Sequence, residues 1–410
     1  MDKNLKSDNL LHVAGEYWIS ALFLAFATIN FIGVWLGDGA PVYGQYPFIG
    51  QGLLKPWLHW SIADRWRLHE LEPPAYEKYS KKGQPWSVTF WGLRFLVMPP
   101  EYLRDLETQD RHALNLAKCL SDALNMEASV GDIPIANTME IDVVSKYLNS
   151  QVAQKDRPDI KKNLDTIQLM VDMPPASPKE VDSFRHAIRV LHLHFASTGS
   201  SIALVHAAIW QLLQMPECIE LIRAEIEDVL KKYGSWDSKH TLNHLHLLDS
   251  FVREILRVHV PSALVSLRLA QQPVTLHDGF QLKQGTRIVF SAQSIHSDPA
   301  NYDSPREFQP FRFAGSGPCN CEADGTPKDA GRVKAETPSQ SFLAFGYGKQ
   351  SCPGRFFATR VVKLILGRLI HEYEIEAAGT IPPSPVSGSM EGFFLPTKKL
   401  EISLRSRRIK

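Results

Sequence analysis

Hydrophobic and polar positions change period several times along this chain, and each change predicts an element. Tyr17 to Leu36 runs through 20 residues without a charge, the length that a bilayer core requires. Tyr17 and Trp18 at one end and Trp35 at the other are placed as an interfacial aromatic belt. The pattern predicts a transmembrane helix; a cleaved signal peptide and a buried core helix are its rivals. Gly37 to Gln51 is rich in Gly and Pro and predicts a linker, and residues 52–81 predict a helix. Ser87–Trp91 and Arg94–Val97 are β-rich runs separated by Gly92-Leu93, which predicts a hairpin, and a helix is expected from Glu101. Met139 to Asn149 sets Ile141, Val144 and Leu148 on one helical face. Residues 150–190 offer only about one helix, Ile160 to Met173, and a Pro-rich loop. Helices are expected at Arg185–Leu213, Glu217–Tyr233, Leu242–Val258 and Arg355–Tyr373. Short strands fill Ser266–Ile288, with a hairpin at Asp278-Gly279. Ala314–Ser341 is an irregular polar stretch, and residues 374–410 form a small terminal hairpin in which Gly392–Leu395 reaches toward a pocket.

Composition narrows the classes. Lys plus Arg number 45 against 44 for Asp plus Glu, so no nucleic-acid affinity is implied. The five cysteines are odd in number and lack a framework spacing, which points to a reducing compartment. Cys319-Asn320-Cys321 has no second pair or suitable His nearby and reads as a solvated loop. The charges flanking the apolar span, Lys3, Lys6 and Asp38, are too balanced to orient it.

The chemistry concentrates at Phe345-Gly346-Tyr347-Gly348-Lys349-Gln350-Ser351-Cys352-Pro353-Gly354. Gly346, Gly348 and Gly354 permit a tight turn in which amides face the sulfur. The helix that follows places Cys352 near an N-terminus, where free amides and the dipole favour a thiolate. On the residues alone, a buried cysteine at a turn and a nucleophile or soft metal ligand both stand. The run Phe-x-x-Gly-x-x-x-Cys-x-Gly resembles the haem-binding loop of the cytochrome P450 monooxygenases, especially the fungal form continuing as Cys352 to Ala358. The resemblance implies a haem cofactor (haem b) whose iron is held by the Cys352 thiolate, within a loop contributed by Phe345 and Gly348. Two residues before the cysteine, Gln350 stands where the family has an Arg or His that meets a haem propionate.

Three further stretches extend the resemblance. The helix Arg185–Leu213 is similar to the family's central helix. Aligned on Phe195-Ala196, it carries Gly199 where an acid or His is usual and Ser200 where a Thr is usual. Gly199 is expected to open the helix locally, and Ser200 to pass protons to bound dioxygen. Glu254 and Arg257, at i and i+3, with Arg312 of Phe308–Phe313, resemble a buried Glu-Arg-Arg network. Its implied role is to hold the cysteine loop in place. Arg268 matches a strand arginine that meets a propionate, and His296 is a further propionate candidate; Lys146 is a weaker one. Lys349, Arg355, Arg360 and Lys363 are set near one end of the last long helix and form either a docking patch for an acidic electron donor or a solvated face.

The fold class read from this is mainly α with small β-sheets, a cytochrome P450 fold with its distal helices partly missing. Between Ser150 and Val190 the chain is naturally compact, incompletely spliced or wrongly assigned. The expected division is an anchor and linker at residues 1–40 and a catalytic domain at 41–410. The implied activity inserts one oxygen atom from O2 into an apolar organic substrate, within fungal secondary metabolism. Electrons come from NADPH through a separate cytochrome P450 reductase. The implied location is the endoplasmic reticulum membrane, spanned once by residues 17–36, with the catalytic domain cytosolic. A haem-thiolate isomerase or dehydratase and a non-catalytic truncated remnant are the alternatives.

Overall fold

Hydrophobic alternation at Trp86–Phe90 and Leu93–Val97 becomes the centre of a sheet. The computed structural model describes residues 43–50, 62–124, 126, 144, 183–236, 239–315, 333–390, 393–396 and 400–407. The expected span Tyr17–Leu36, the helix Met139–Asn149 apart from Val144, the helix Ile160–Met173, the short stretch 150–182 and the expected division near residue 40 lie outside them. The chain divides into two compact units, Met1–Pro47 and Phe48–Lys410. In the first, the Tyr46 amide donates to the Tyr43 carbonyl (3.0 Å).

In the second unit, β1 (Phe48–Ile49) is followed by α1 (Ile62–Lys78), β2 (Trp86–Phe90) and β3 (Leu93–Val97). Next come α2 (Asp105–Thr108), β4 (Leu114–Asn115), α3 (Leu116–Ala123), α4 (Ser183–Gln214), α5 (Pro216–Tyr233), α6 (Lys239–His244) and α7 (His246–Val258). Strands β5 (Leu264–Ala270), β6 (Val274–Thr275), β7 (Gln281–Leu282) and β8 (Arg287–Ser291) precede α8 (Ala292–His296). The chain closes with α9 (Arg355–Glu372), β9 (Tyr373–Ala377), β10 (Val386–Met390), β11 (Phe393–Pro396) and β12 (Ile402–Ser406). The main sheet has the order β1-β2-β3-β8-β5-β4, with three two-stranded sheets beside it. The expected single helix over Leu242–Val258 is broken at Leu245 into α6 and α7. The expected single terminal hairpin is two nested pairs, β9 with β12 and β10 with β11.

The β2–β3 turn consists of Trp91 and Gly92 alone, both in the left-handed region (φ 51° and 72°). That geometry matches the twist of a two-residue hairpin, at a cost for a residue with a Cβ. Stacking offsets it: the Trp91 ring lies 4.9 Å from Phe90 and 5.3 Å from Phe393 of β11. The terminal segment therefore packs on the first hairpin, and Phe394 meets His69 edge-on.

A second core lies among the helices. Leu212 of α4, Ile222 and Ile226 of α5, Phe251 and Ile255 of α7 and Leu366 of α9 are fully buried in one cluster. α5 starts with Pro216 in its first turn, carries Lys231 and Lys232 in its last, and stops at Gly234 (φ 91°). α9 is pinned to α7 by a buried ion pair, Lys363 Nζ to Asp249 Oδ1 at 2.6 Å. The second Asp249 oxygen accepts from the Ala335 amide (3.1 Å), so the carboxylate is satisfied on both sides. No single helix among the described residues is long and apolar enough to cross a membrane. α4 and α5 pass that test only as a pair bent by 110°, and both contribute to the helical core.

Glu72 of α1 is fully buried, with Ser294 Oγ donating to Oε2 at 2.9 Å. Burial raises its pKa to about 7 from an ordinary 4.5. The folded state therefore holds a proton that the unfolded chain releases above pH 4.5. Stability should fall by about 3 kcal/mol as pH rises from 4.5 to 7, then level off. In Glu72→Gln this pH dependence should vanish. Denaturant unfolding of both proteins across pH 4–8 checks it, and parallel curves would refute it.

Candidate active site

Cys352 stands between the 3-10 turn Gly348–Gln350 and α9, and is exposed. Its amide donates to the Phe345 carbonyl (2.8 Å), closing the loop upon itself. The Gly354 and Arg355 amides and the Arg355 charge favour the thiolate. Protein mass around the sulfur outweighs them and pushes the thiol above its ordinary value. Arg355 also donates from Nη1 to the Cys352 carbonyl (2.7 Å).

Two glycines make the loop possible. Gly346 and Gly348 have φ of 68° and 74°, in the left-handed region. A Cβ on Gly348 would lie 2.4 Å from the Leu106 carbonyl oxygen of α2. The role of Gly348 is thus close approach to α2. Gly348→Ala should lose at least the ~1–3 kcal/mol of a strained φ, with the overlap adding to it. A lower midpoint of chemical unfolding checks this, and an unchanged midpoint would refute it.

Strand β5 reaches the loop from one side. A register shift between Val265 and Arg268 marks a bulge, and Ser266 within it has φ 58°. Ser266 Oγ accepts from the Tyr347 amide (3.0 Å). Sequence reasoning missed Ser266; a serine gives no outward sign that it occupies a strained bulge. Arg268 is buried and donates to the Leu267 carbonyl (2.7 Å) and the Tyr347 carbonyl (3.1 Å). Among the described residues no carboxylate lies within 4 Å of it, and desolvation lowers its pKa to about 10. A buried cation with only carbonyl partners, bonded to the loop that ends in an exposed cysteine under helix amides, fits an anionic haem edge and its iron.

Of the remaining propionate candidates, Lys146 lies outside the described residues, and His296 and Gln350 make hydrogen bonds within the chain. His296 is fully buried: Nδ1 donates to the Arg257 carbonyl (3.0 Å), and Nε2 accepts from the Leu343 amide (2.7 Å). Burial holds its pKa down to about 3, so it is a neutral brace between α7 and the strand of chain leading to the cysteine loop. Gln350 makes two bonds within the chain, which leave one of its amide N–H groups uncommitted. Its Oε1 accepts from the Leu116 amide (2.9 Å), and its Nε2 donates to the Leu114 carbonyl (2.7 Å). Phe345 is partly buried and packs against the helical core.

Glu254, Arg257 and Arg312 meet in the buried network that the resemblance implied. Glu254 accepts from Arg257 Nε and Nη2 (2.8 and 2.7 Å) and from Arg312 Nε (3.1 Å). Arg257 spends its remaining donors on the His296, Pro305 and Glu307 carbonyls. The network therefore holds the 303–312 loop directly. It reaches the cysteine loop through His296 and Leu343. Sequence reasoning missed Arg253, buried with Phe342 3.7 Å from its guanidinium carbon and donating to the Lys334 and Thr337 carbonyls.

Two expectations are corrected. α4 runs unbroken through Gly199, so no helix opening occurs there; one glycine costs about 1 kcal/mol, and the packed second half of the 32-residue helix outweighs it. Ser200 is exposed and donates back to the Ala196 carbonyl (3.5 Å). Lys363 leaves the proposed docking patch because it is buried on Asp249, and Arg355 is tied to the cysteine loop. Lys349 remains exposed and donates to the Thr108 and Gln109 carbonyls. Among the described residues no group of three or more His, Cys, Asp or Glu could hold a metal ion.

The family model described as Cytochrome P450 matches residues 134–404. The chain belongs to the cytochrome P450 family. Cytochrome P450 monooxygenase sirB of Leptosphaeria maculans is 30% identical, over 88% of this chain and 90% of that relative. That alignment extends over 475 positions against 410 residues in this cytochrome P450, so the relative holds internal segments that this chain lacks. Cytochrome P450 monooxygenase olcJ of Penicillium canescens is 33% identical over 65% of this chain and 48% of its own length. For braC of Annulohypoxylon truncatum the figures are 29%, 63% and 51%, so the chain spans about half of these two relatives. A solved structure, retinoic acid bound cyanobacterial CYP120A1, has 21% identity and a TM-score of 0.45, covering 66% of this P450 and 56% of that chain.

Proposed function

We propose that this cytochrome P450 is a haem-thiolate monooxygenase that inserts one oxygen atom from O2 into an apolar organic substrate. The observation that carries the reading is Cys352, exposed at the N-terminus of α9 with two amides on its sulfur and the buried Arg268 beside its loop. Haem b, held there, supplies oxygen activation with NADPH-derived electrons from a reductase. The chain's own residues do the rest. Cys352 Sγ offers a soft anionic ligand. Arg268 offers an anion its buried donors. Ser200 presents an exposed hydroxyl from α4 that holds and passes a proton.

The finer parts of the proposal rest on the sequence and on the relatives. The apolar run Tyr17–Leu36 supports a membrane anchor, with the endoplasmic reticulum as the site and the catalytic part cytosolic. The fungal form of the run Cys352–Ala358, with fungal monooxygenases among the relatives, supports a substrate from secondary metabolism. A redox-neutral isomerase or dehydratase is the second reading, favoured by Gly199 in the place of an acid. The deciding experiment is a spectrum of the purified protein, reduced and exposed to carbon monoxide, followed by turnover with and without O2 and NADPH. A thiolate-type Soret band with oxygen-dependent turnover supports the monooxygenase. The same band with turnover that ignores O2 and NADPH supports the isomerase. No such band refutes both.

A further inference from the structure

We propose that Gln350 is a positioning residue: its amide acts as a missing peptide group that latches the cysteine loop to the β4–α3 junction. The inference deepens the haem-thiolate reading and rests on it only for its consequence at Cys352. Leu114 and Leu116 are alternate residues, so the carbonyl of one and the amide of the other face the same edge. Gln350 meets both at once, donating to the first at 2.7 Å and accepting from the second at 2.9 Å. On its other edge β4 pairs with β5, Leu114 opposite Ala270 and Asn115 opposite Leu269.

The pairing closes a ring of contacts around residues 347–350. From β5, Ser266 accepts from the Tyr347 amide and Arg268 donates to the Tyr347 carbonyl. From β4 and α3, the Gln350 latch holds the far end of the same turn. Leu116 is the first residue of α3, whose first-turn amides lack partners within the helix. Asn115 caps the Lys118 amide (2.9 Å), and Gln350 satisfies the Leu116 amide. One side chain thus ties the loop to the helix end.

Only an amide does this. It offers a donor and an acceptor side by side, on a stem long enough to reach. An arginine has donors alone and leaves the Leu116 amide without an acceptor. A carboxylate has acceptors alone and faces the Leu114 carbonyl unfavourably. The position therefore differs in role from a cation that meets a propionate, and the two roles make opposite predictions for Gln350→Arg.

Hydrogen exchange on the full chain separates them, with or without haem bound. In Gln350→Ala and Gln350→Arg the Leu116 amide should exchange about tenfold faster than in the parent, while amides in α5 and α7 keep their rates. In haem-loaded protein, both variants should convert from a thiolate-type to a thiol-type carbon monoxide spectrum several-fold faster under mild warming that leaves far-UV circular dichroism unchanged. Unchanged exchange at Leu116 in both variants would overturn the latch. So would a Gln350→Arg protein whose thiolate-type spectrum is as durable as the parent's or more so, because the position would then serve a propionate. A parent with no thiolate-type band would count against the haem-thiolate reading alone, and the exchange result would still decide the latch.

Discussion

Cys352→Ser protein, reduced and exposed to carbon monoxide, should show no thiolate-type Soret band, and its oxygen-dependent turnover should be abolished. Serine keeps the shape of the side chain but replaces a soft sulfur anion with a hydroxyl that stays protonated at neutral pH. The amides of Gly354 and Arg355 would still point at the position, yet they cannot ionise it. The fold should survive. The loop is closed by main-chain groups, the Cys352 amide on the Phe345 carbonyl and Arg355 on the Cys352 carbonyl, and neither bond uses the sulfur. With an exposed side chain, the substitution should shift stability by less than about 1 kcal/mol. The informative outcome is therefore a split: ligation lost, unfolding midpoint kept. A variant that retained the band would remove Cys352 from the site altogether.

Glu254→Ala should be the most destabilising single change in the described residues, by about 3–5 kcal/mol. The carboxylate is fully buried and takes four hydrogen bonds, three from Arg257 and Arg312 and one from the Gln309 amide. Without it, Arg257 is a charge with 1% side-chain exposure and no anion. Arg312 keeps 10% side-chain exposure and three other carbonyl contacts, so Arg312→Ala should cost less than Arg257→Ala. Urea unfolding of the three variants checks the order Glu254, Arg257, Arg312. Midpoints unchanged from the parent in all three would show that the network holds nothing. The loss should also appear at a distance, as faster exchange at the Leu343 amide, because His296 transmits the α7 position to that segment.

Local chemistry was legible in the chain. The Cys352 loop was found because three glycines and a following helix are all within ten residues, and the helix dipole acts on its own first turn. Glu254 and Arg257 were found because i and i+3 are neighbours on any helix. The left-handed turns at Gly346 and Gly348 follow from residue type. The long helix α4 was placed to within two residues by its apolar period.

What stayed hidden involves partners far apart in sequence. Gln350 occupies the place where the resembling family has an Arg or His that meets a propionate, yet its amide binds Leu114 and Leu116, more than 230 residues away. His296 was a propionate candidate because Ile295–Pro299 resembles a turn of the family, and its two nitrogens are spent on Arg257 and Leu343. Lys363 looked like one cation in a surface row, until Asp249 of another helix buried it. Gly199 marked a helix weakness that packing overrode. Residue spacing by itself determined that a cysteine stands in a glycine-closed turn at a helix N-terminus and that Glu254 and Arg257 share a helix face, while the haem-thiolate role and the third member, Arg312, came from the family resemblance. Only the tertiary structure decided which polar side chains remain available to a ligand. A buried donor or acceptor must find a partner, and which partner it meets depends on how distant segments pack.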